Sequence, residues 1–164
     1  MSAVQPIPEG FRSVTPGMVI KNAAEALDFY QKAFGAEVMK RLNGPGGAIM
    51  HAEIRVGDSM IMISDEWPGH HVQSPKTNGG TSITLHVYVK DVDAAHKRAV
   101  EAGAVEKMPA ADMFWGDRYS AVVDPYGHAW SIGTHIKDMT EEECQQAADA
   151  WMAEMAKSGQ GPCE

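Results

Sequence analysis

The chain repeats itself. "AAEALDFYQKAFGAEV" and "VDAAHKRAVEAGAVEK" each read as a helix stopped by a glycine, and those glycines, Gly35 and Gly103, stand 68 residues apart. Recurrence at a fixed offset marks an internal duplication, and each copy must bury its helix against neighbouring strands. In the first copy an extended segment ends at Asn22. Leu27, Tyr30 and Phe34 then fall at i, i+3 and i+7, one apolar face of a helix, and Gly35 is placed to cap it. In the second copy the extended segment "SITLHVYV" ends near Asp91, a residue type suited to the N-cap. Ala95, Ala99 and Ala102 come next along one side, with Gly103 as the stop.

The segments after the two helices are also alike. The first copy continues with "AIMHAEIRV", a Gly57-Asp58 turn and "SMIMISD", a hairpin pattern. The second continues with "DRYSAVVD", a Pro125-Tyr126-Gly127 turn and "HAWSIGTHI". Each copy therefore reads β-α-β-β-β, and the fold class is α+β. The expected spans are residues 12–66 for the first module and 81–136 for the second. Between them, residues 67–80 lie in a stretch rich in Pro and Gly, a linker or lid. Residues 137–164 hold a C-terminal helix and a loose tail. Thr140 and Glu143 form a capping box for that helix. Cys144, Ala148, Trp151, Met152 and Met155 make its apolar stripe, and Gly159 ends it. Such a stripe needs a surface to cover, on its own sheet or on a second subunit.

Composition narrows the function classes. The 164 residues carry a net charge of −8, which disfavours nucleic acid and anionic membrane surfaces. Apolar runs such as "MIMIS" are far too short to span a bilayer, and "MSAVQPIPEGFRS" lacks the pattern of a secretory signal. Two cysteines, Cys144 and Cys163, suggest no disulfide framework or zinc knuckle, so a cytoplasmic location is the expectation.

Two tandem βαβββ modules, with "FYQKAFGAEV" in the first and "DPYGHAWSI" closing the second, resemble the vicinal oxygen chelate superfamily, the glyoxalase / bleomycin-resistance / extradiol-dioxygenase fold group. "HAEIRVGDSMIMISDE", "LHVYVKDVDAA" and "FWGDRYSAVVDPYGHAWSI" are similar to its PhnB-like, glyoxalase-like branch. The resemblance covers roughly residues 10–137. It implies that each module curls its sheet into half of a cup, that the paired cups enclose a small-molecule site, and that the protein is a homodimer. It does not fix the reaction.

Metal-dependent relatives place a His or Glu on the first and last strands of each module. Counting from shared landmarks carries those positions to Thr15, Met62, Thr84 and Ser131. None is an imidazole or carboxylate, so no metal cofactor is expected at the usual site. A displaced site built from His51, Glu53 and His86 stays open as an alternative. The loop pair His70 and His71 reads as a solvated pair.

Strand alternation places Thr15, Gly17, Val19, Met60, Met62, Ser64, Thr84, His86, Tyr88, Ala129, Ser131 and Gly133 inside the cup. His86 is the candidate catalytic group, because imidazole titrates near neutrality. "FWGDRY" offers Trp115 as a pocket wall, with Asp117 and Arg118 beside it. Arg118 is the candidate partner for a carboxylate or phosphonate; an Asp117–Arg118 pair within the turn is the structural alternative. The ligand-binding set is thus Tyr88, Trp115, Asp117, Arg118, Ser131, Met62, His51 and Glu53. Three functions remain in order: a metal-independent binder of a small organic ligand; a lyase, isomerase or dioxygenase-like enzyme using His86 with Arg118 or a displaced metal; and a dimeric interaction module.

Overall fold

The computed structural model describes residues 4–67, 69 and 72–158. The sequence-derived expectations for His70, His71, Gly159 and Cys163 lie outside the described residues.

Alternation in the strands and the helix periodicity place one apolar face of each sheet against a helix. The first module runs β1 (Gly17–Ile20), α1 (Ala23–Phe34), β2 (Glu37–Asn43), β3 (Ile49–Val56) and β4 (Ser59–Asp65). Its sheet has the order β1-β4-β3-β2, with β1 parallel to β4 and the other pairings antiparallel. A short α2 (Pro75–Asn78) lies between the modules. The second module repeats the pattern with β5 (Thr84–Tyr88), α3 (Val92–Glu101), β6 (Val105–Asp112), β7 (Asp117–Val123) and β8 (Ala129–His135), in the order β5-β8-β7-β6. Helix α4 (Glu141–Ser158) comes last. Two mixed four-stranded sheets with helices make this an α+β fold.

The caps behave as the residue types dictate. Gly35 takes a left-handed conformation with φ 66°, and its N–H and that of Ala36 bond the carbonyls of Gln31 and Tyr30, the paired closure that lets a helix end abruptly. Asp91 accepts from the Ala94 N–H at 3.0 Å. Thr140 and Glu143 bond each other's backbone N–H groups, the reciprocal cap expected from their spacing. Asn22 offers α1 no side-chain cap. Asp65, arriving from the end of β4, substitutes: it accepts from the N–H of Ala23 at 2.9 Å and of Ile49 at 2.6 Å.

α1 and α3 pack on one another, and one core serves both modules. Phe34 of α1 stacks on Trp130 of β8, with ring centroids 4.4 Å apart. Tyr30 donates a 2.7 Å hydrogen bond to Asp124, which is 2 % exposed. Asp124 also accepts from the Trp130 indole at 3.0 Å and from the N–H groups of Tyr126 and His128, each at 2.9 Å. The Asp-Pro-Tyr-Gly turn is thereby a structural bolt. Its Gly127 has φ 94°, and a Cβ there would come within 3.0 Å of Pro75 in α2, so the inter-module segment is seated on this turn.

α4 is half covered. Its Trp151 meets Phe114 at 5.6 Å, while Cys144, Ala148 and Met155 are half-buried and Trp151 and Met152 stay exposed. No helix among the described residues is long and apolar enough to cross a membrane.

Candidate functional site

Each sheet has one face covered by helices and one open face. In the second module Trp130, Ile132 and Val122 belong to the core, so period-two alternation turns Ser131, Gly133 and Ala121 the other way. Register then builds two rows across the open face. His86, Ser131, Ala121 and Met108 stand side by side, as do Tyr88, Gly133, Tyr119 and Ala111. Ser131, Ala121 and Gly133 are the small members of these rows, and His86, Tyr88 and Tyr119 the aromatic ones.

His86 is held by its Nδ1, 2.7 Å from the Ser131 hydroxyl. Its Nε2 carries no hydrogen bond among the described residues. The ring lies over Gly133: a Cβ at that position would meet Cε1 at 3.0 Å and Nε2 at 3.1 Å. Glycine is what lets the imidazole lie flat on the sheet. The ring is nearly parallel to Tyr119, at 10° and 6.1 Å, and meets Tyr88 edge-on at 4.4 Å. Trp115 meets Tyr119 at 5.7 Å.

Asp117 gathers the rim. It is 5 % exposed, and it accepts from the Tyr88 hydroxyl at 3.1 Å and the Trp115 indole at 3.2 Å. His135 lies 2.8 Å from its other oxygen and bridges to Asp138 at 3.0 Å. Burial alone would raise the Asp117 pKa. The hydrogen bonds from His135, Tyr88 and Trp115 outweigh it and hold the carboxyl below its ordinary value. The same contacts raise the Tyr88 phenol and the His135 imidazole. Asp117 is consequently a fixed anion whose acceptor sites are taken by protein donors. It positions two aromatic side chains.

Arg118 is on the other side of the sheet. β7 alternates, so Asp117 and Tyr119 face the open side while Arg118 faces the helix side with Ser120 and Val122. Its guanidinium forks onto Asp93 of α3 at 2.7 and 2.8 Å and bonds Asp112 of β6 at 2.8 Å. These carboxylates raise its pKa still further. The expected ligand contact by Arg118 is therefore corrected, and so is the pairing of His86 with Arg118 in a catalytic site. The alternative Asp117–Arg118 pair is not formed either.

In the first module, Lys40, Glu53, Met62 and Gly17 make one row of the open face. His51 Nε2 lies 3.0 Å from Glu53, and the Lys40 ammonium 3.6 Å from it. The segment Pro6–Thr15 borders this face in a groove of about 550 Å³ that includes Lys40, Glu53 and Met62. His51, Glu53 and Met62 thus belong to the first sheet, and His86, Tyr88, Trp115 and Ser131 to the second. The displaced trio of His51, Glu53 and His86 does not gather in this chain: His86 is engaged by Ser131, and no group of three His, Cys, Asp or Glu suited to a metal exists among the described residues.

The usual metal positions do not fit a metal. Gly17, not Thr15, stands opposite Met62, and His86, not Thr84, stands opposite Ser131. The Thr15 hydroxyl donates instead to the Arg12 carbonyl at 2.9 Å. The four register positions hold a glycine, a thioether, a hydroxyl and the single imidazole of His86, a poor donor set for a divalent ion.

Residues 13–132 match the Glyoxalase/Bleomycin resistance protein/Dioxygenase superfamily. The chain belongs to that superfamily. An uncharacterized protein of Mycobacterium bovis is 41% identical over 138 residues, spanning 82% of this chain and 91% of the relative. The crystal structure of TioX from Micromonospora sp. ML1 superposes with a TM-score of 0.60 at 27% identity, covering 79% of this chain and all of that one. The PhnB protein from Bacillus cereus, described as a putative 3-demethylubiquinone-9 3-methyltransferase, shares the fold with a TM-score of 0.60 at 17% identity, over 75% of this chain and 99% of its own.

Sequence reasoning passed over Tyr119 and His135. Tyr119 was within reach, since it lies two residues after Asp117 and must share its face. His135 was not, because its contact with Asp117 depends on how β7 and β8 register.

Proposed function

We propose that this superfamily member binds a small, flat organic ligand on the open face of the second sheet, without a divalent metal. One observation carries the reading: His86, Tyr88, Tyr119 and Trp115 stand together as aromatic walls on this sheet, with the His86 ring seated over Gly133 and bonded to Ser131. Flat rings favour stacked or edge-on contacts with such walls. Tyr88 and Trp115 are already tied to Asp117, which lowers the ordering cost of binding. Ser131, at the position of a family metal ligand, orients His86.

A thermal-shift screen of flat aromatic compounds tests this, with Trp fluorescence as a second readout. Binding is expected to raise Tm and to be abolished by Trp115→Ala. A ligand that requires a stoichiometric divalent ion, detected by elemental analysis of chelator-free protein, would overturn the metal-free reading.

The enzymatic reading has one observation of its own. Ser131 engages His86 Nδ1 and leaves Nε2 without a hydrogen bond among the described residues, so it could exchange a proton with a bound compound. Turnover that survives His86→Gln unchanged would remove this second reading.

A further inference from the structure

Arg118 is occupied on the helix side, yet the β5 edge of the second sheet borders another guanidinium. Arg12 lines a groove of about 480 Å³ together with His86, Tyr88, Thr15 and the β3–β4 turn. It also lines the groove beside Lys40, Glu53 and Met62, so it borders the open face of the first module and strand β5 of the second. Its one hydrogen bond runs from Nη1 to the neighbouring Phe11 carbonyl at 3.2 Å. Among the described residues it forms no ion pair, whereas Arg55 and Arg118 are paired with Glu37 and with Asp93 and Asp112.

The backbone that carries Arg12 is anchored. Thr15 bonds the Arg12 carbonyl at 2.9 Å, and the Phe11 N–H bonds the Pro8 carbonyl at 3.1 Å. Thr15 thus ties down the backbone that carries this cation. Asp58, the carboxylate in the same groove, accepts from the Ser59 hydroxyl at 2.9 Å.

We propose that Arg12 selects a carboxylate-bearing ligand, its guanidinium receiving the carboxylate while the ligand's flat body lies against His86 and Tyr88. This rests on the proposed binding of a flat ligand by the second sheet. A guanidinium fork matches a carboxylate in two parallel hydrogen bonds, and the molecule's net charge of −8 makes a local cation necessary if an organic anion is to settle there.

The test compares 1-naphthoate with 1-naphthamide, which share a ring system and differ in charge. Each is titrated against the full chain by Trp fluorescence quenching and Tm shift. The carboxylate is expected to bind about tenfold tighter, the range for a hydrogen bond to a charged group. Arg12→Gln should erase that preference and leave the amide's affinity unchanged; Arg12→Lys should keep part of it. Arg41→Gln removes the same unit of charge at β2, where Arg41 bonds Asn43, and should leave the preference intact. Equal affinities of acid and amide in the wild-type protein overturn the proposal, as does an equal loss in Arg41→Gln. If neither compound binds, the reading of the second sheet as a ligand site fails, and this proposal with it.

Discussion

Tyr30 donates its hydroxyl to Asp124 across 94 residues of chain, at 2.7 Å. The bond joins the helix of one module to the turn of the other, inside the shared core. Removing Asp124 would leave the Tyr30 hydroxyl, the Trp130 indole and two backbone N–H groups without their acceptor. Each buried, unpaired donor costs about 1–3 kcal/mol. Asp124→Ala should therefore destabilise by about 4 kcal/mol or more, and Tyr30→Phe by about 1.5 kcal/mol. Urea unfolding midpoints measure both; a near-neutral Asp124→Ala would contradict the structural role.

Gly133→Ala separates stability from binding. The added methyl would sit 3.0 Å from the His86 ring and push it off the sheet. The backbone there is not in the left-handed region, so the strand accepts alanine with a stability change of about 1 kcal/mol or less. Affinity for a flat aromatic probe should fall while Tm moves little. Unchanged affinity would show that the imidazole's seat over Gly133 is unimportant.

The Asp117–His135 contact sets a pH window. His135 is raised above 6.5 by hydrogen bonds to Asp117 and then Asp138, so its stabilising contribution is fully present below 6.5 and disappears as pH rises through the folded value. Asp117 is lowered below 3.8, so its contribution is present above 3.8 and is lost as pH falls through its folded value. The gap in unfolding midpoint between wild type and His135→Gln should be widest between the two windows, near pH 5, and narrow as pH rises through the folded-state value of His135. A gap that widens with alkalinity would reverse the assigned sign.

Arg118→Gln should act on stability and leave binding alone. Its guanidinium joins α3 to β6 and β7, on the side of the sheet away from the aromatic walls. A lower Tm with an unchanged affinity for the aromatic probe is the expected result. Loss of affinity without loss of Tm would restore the sequence expectation.

The fold was legible because its signals are local and come twice. Gly35, Asp91 and the Thr140–Glu143 box work within a few residues of themselves, and period-two alternation correctly separated His86 and Ser131 from Leu85 and Trp130. The same rule, carried into β7, would have turned Arg118 away from Asp117; a dense run of functional residue types obscured it. What local pattern could not reveal was register. Only strand pairing makes His86 and Ser131 neighbours, and only three-dimensional packing brings Arg12 into one groove with His86. Asp117 was recognised as part of the site, but its role depends on the number of donors that reach it.

Phe34 stacks on a tryptophan that lies nearly a hundred residues further along the chain. At synthesis rates of roughly 5–20 residues per second, the first module leaves the ribosome some five to twenty seconds before that partner exists. During that interval Phe29, Tyr30 and Phe34 have no finished core to enter. Duplication has given this chain two similar halves that complete one core together, so part of the first half's aromatic surface waits for the last strand.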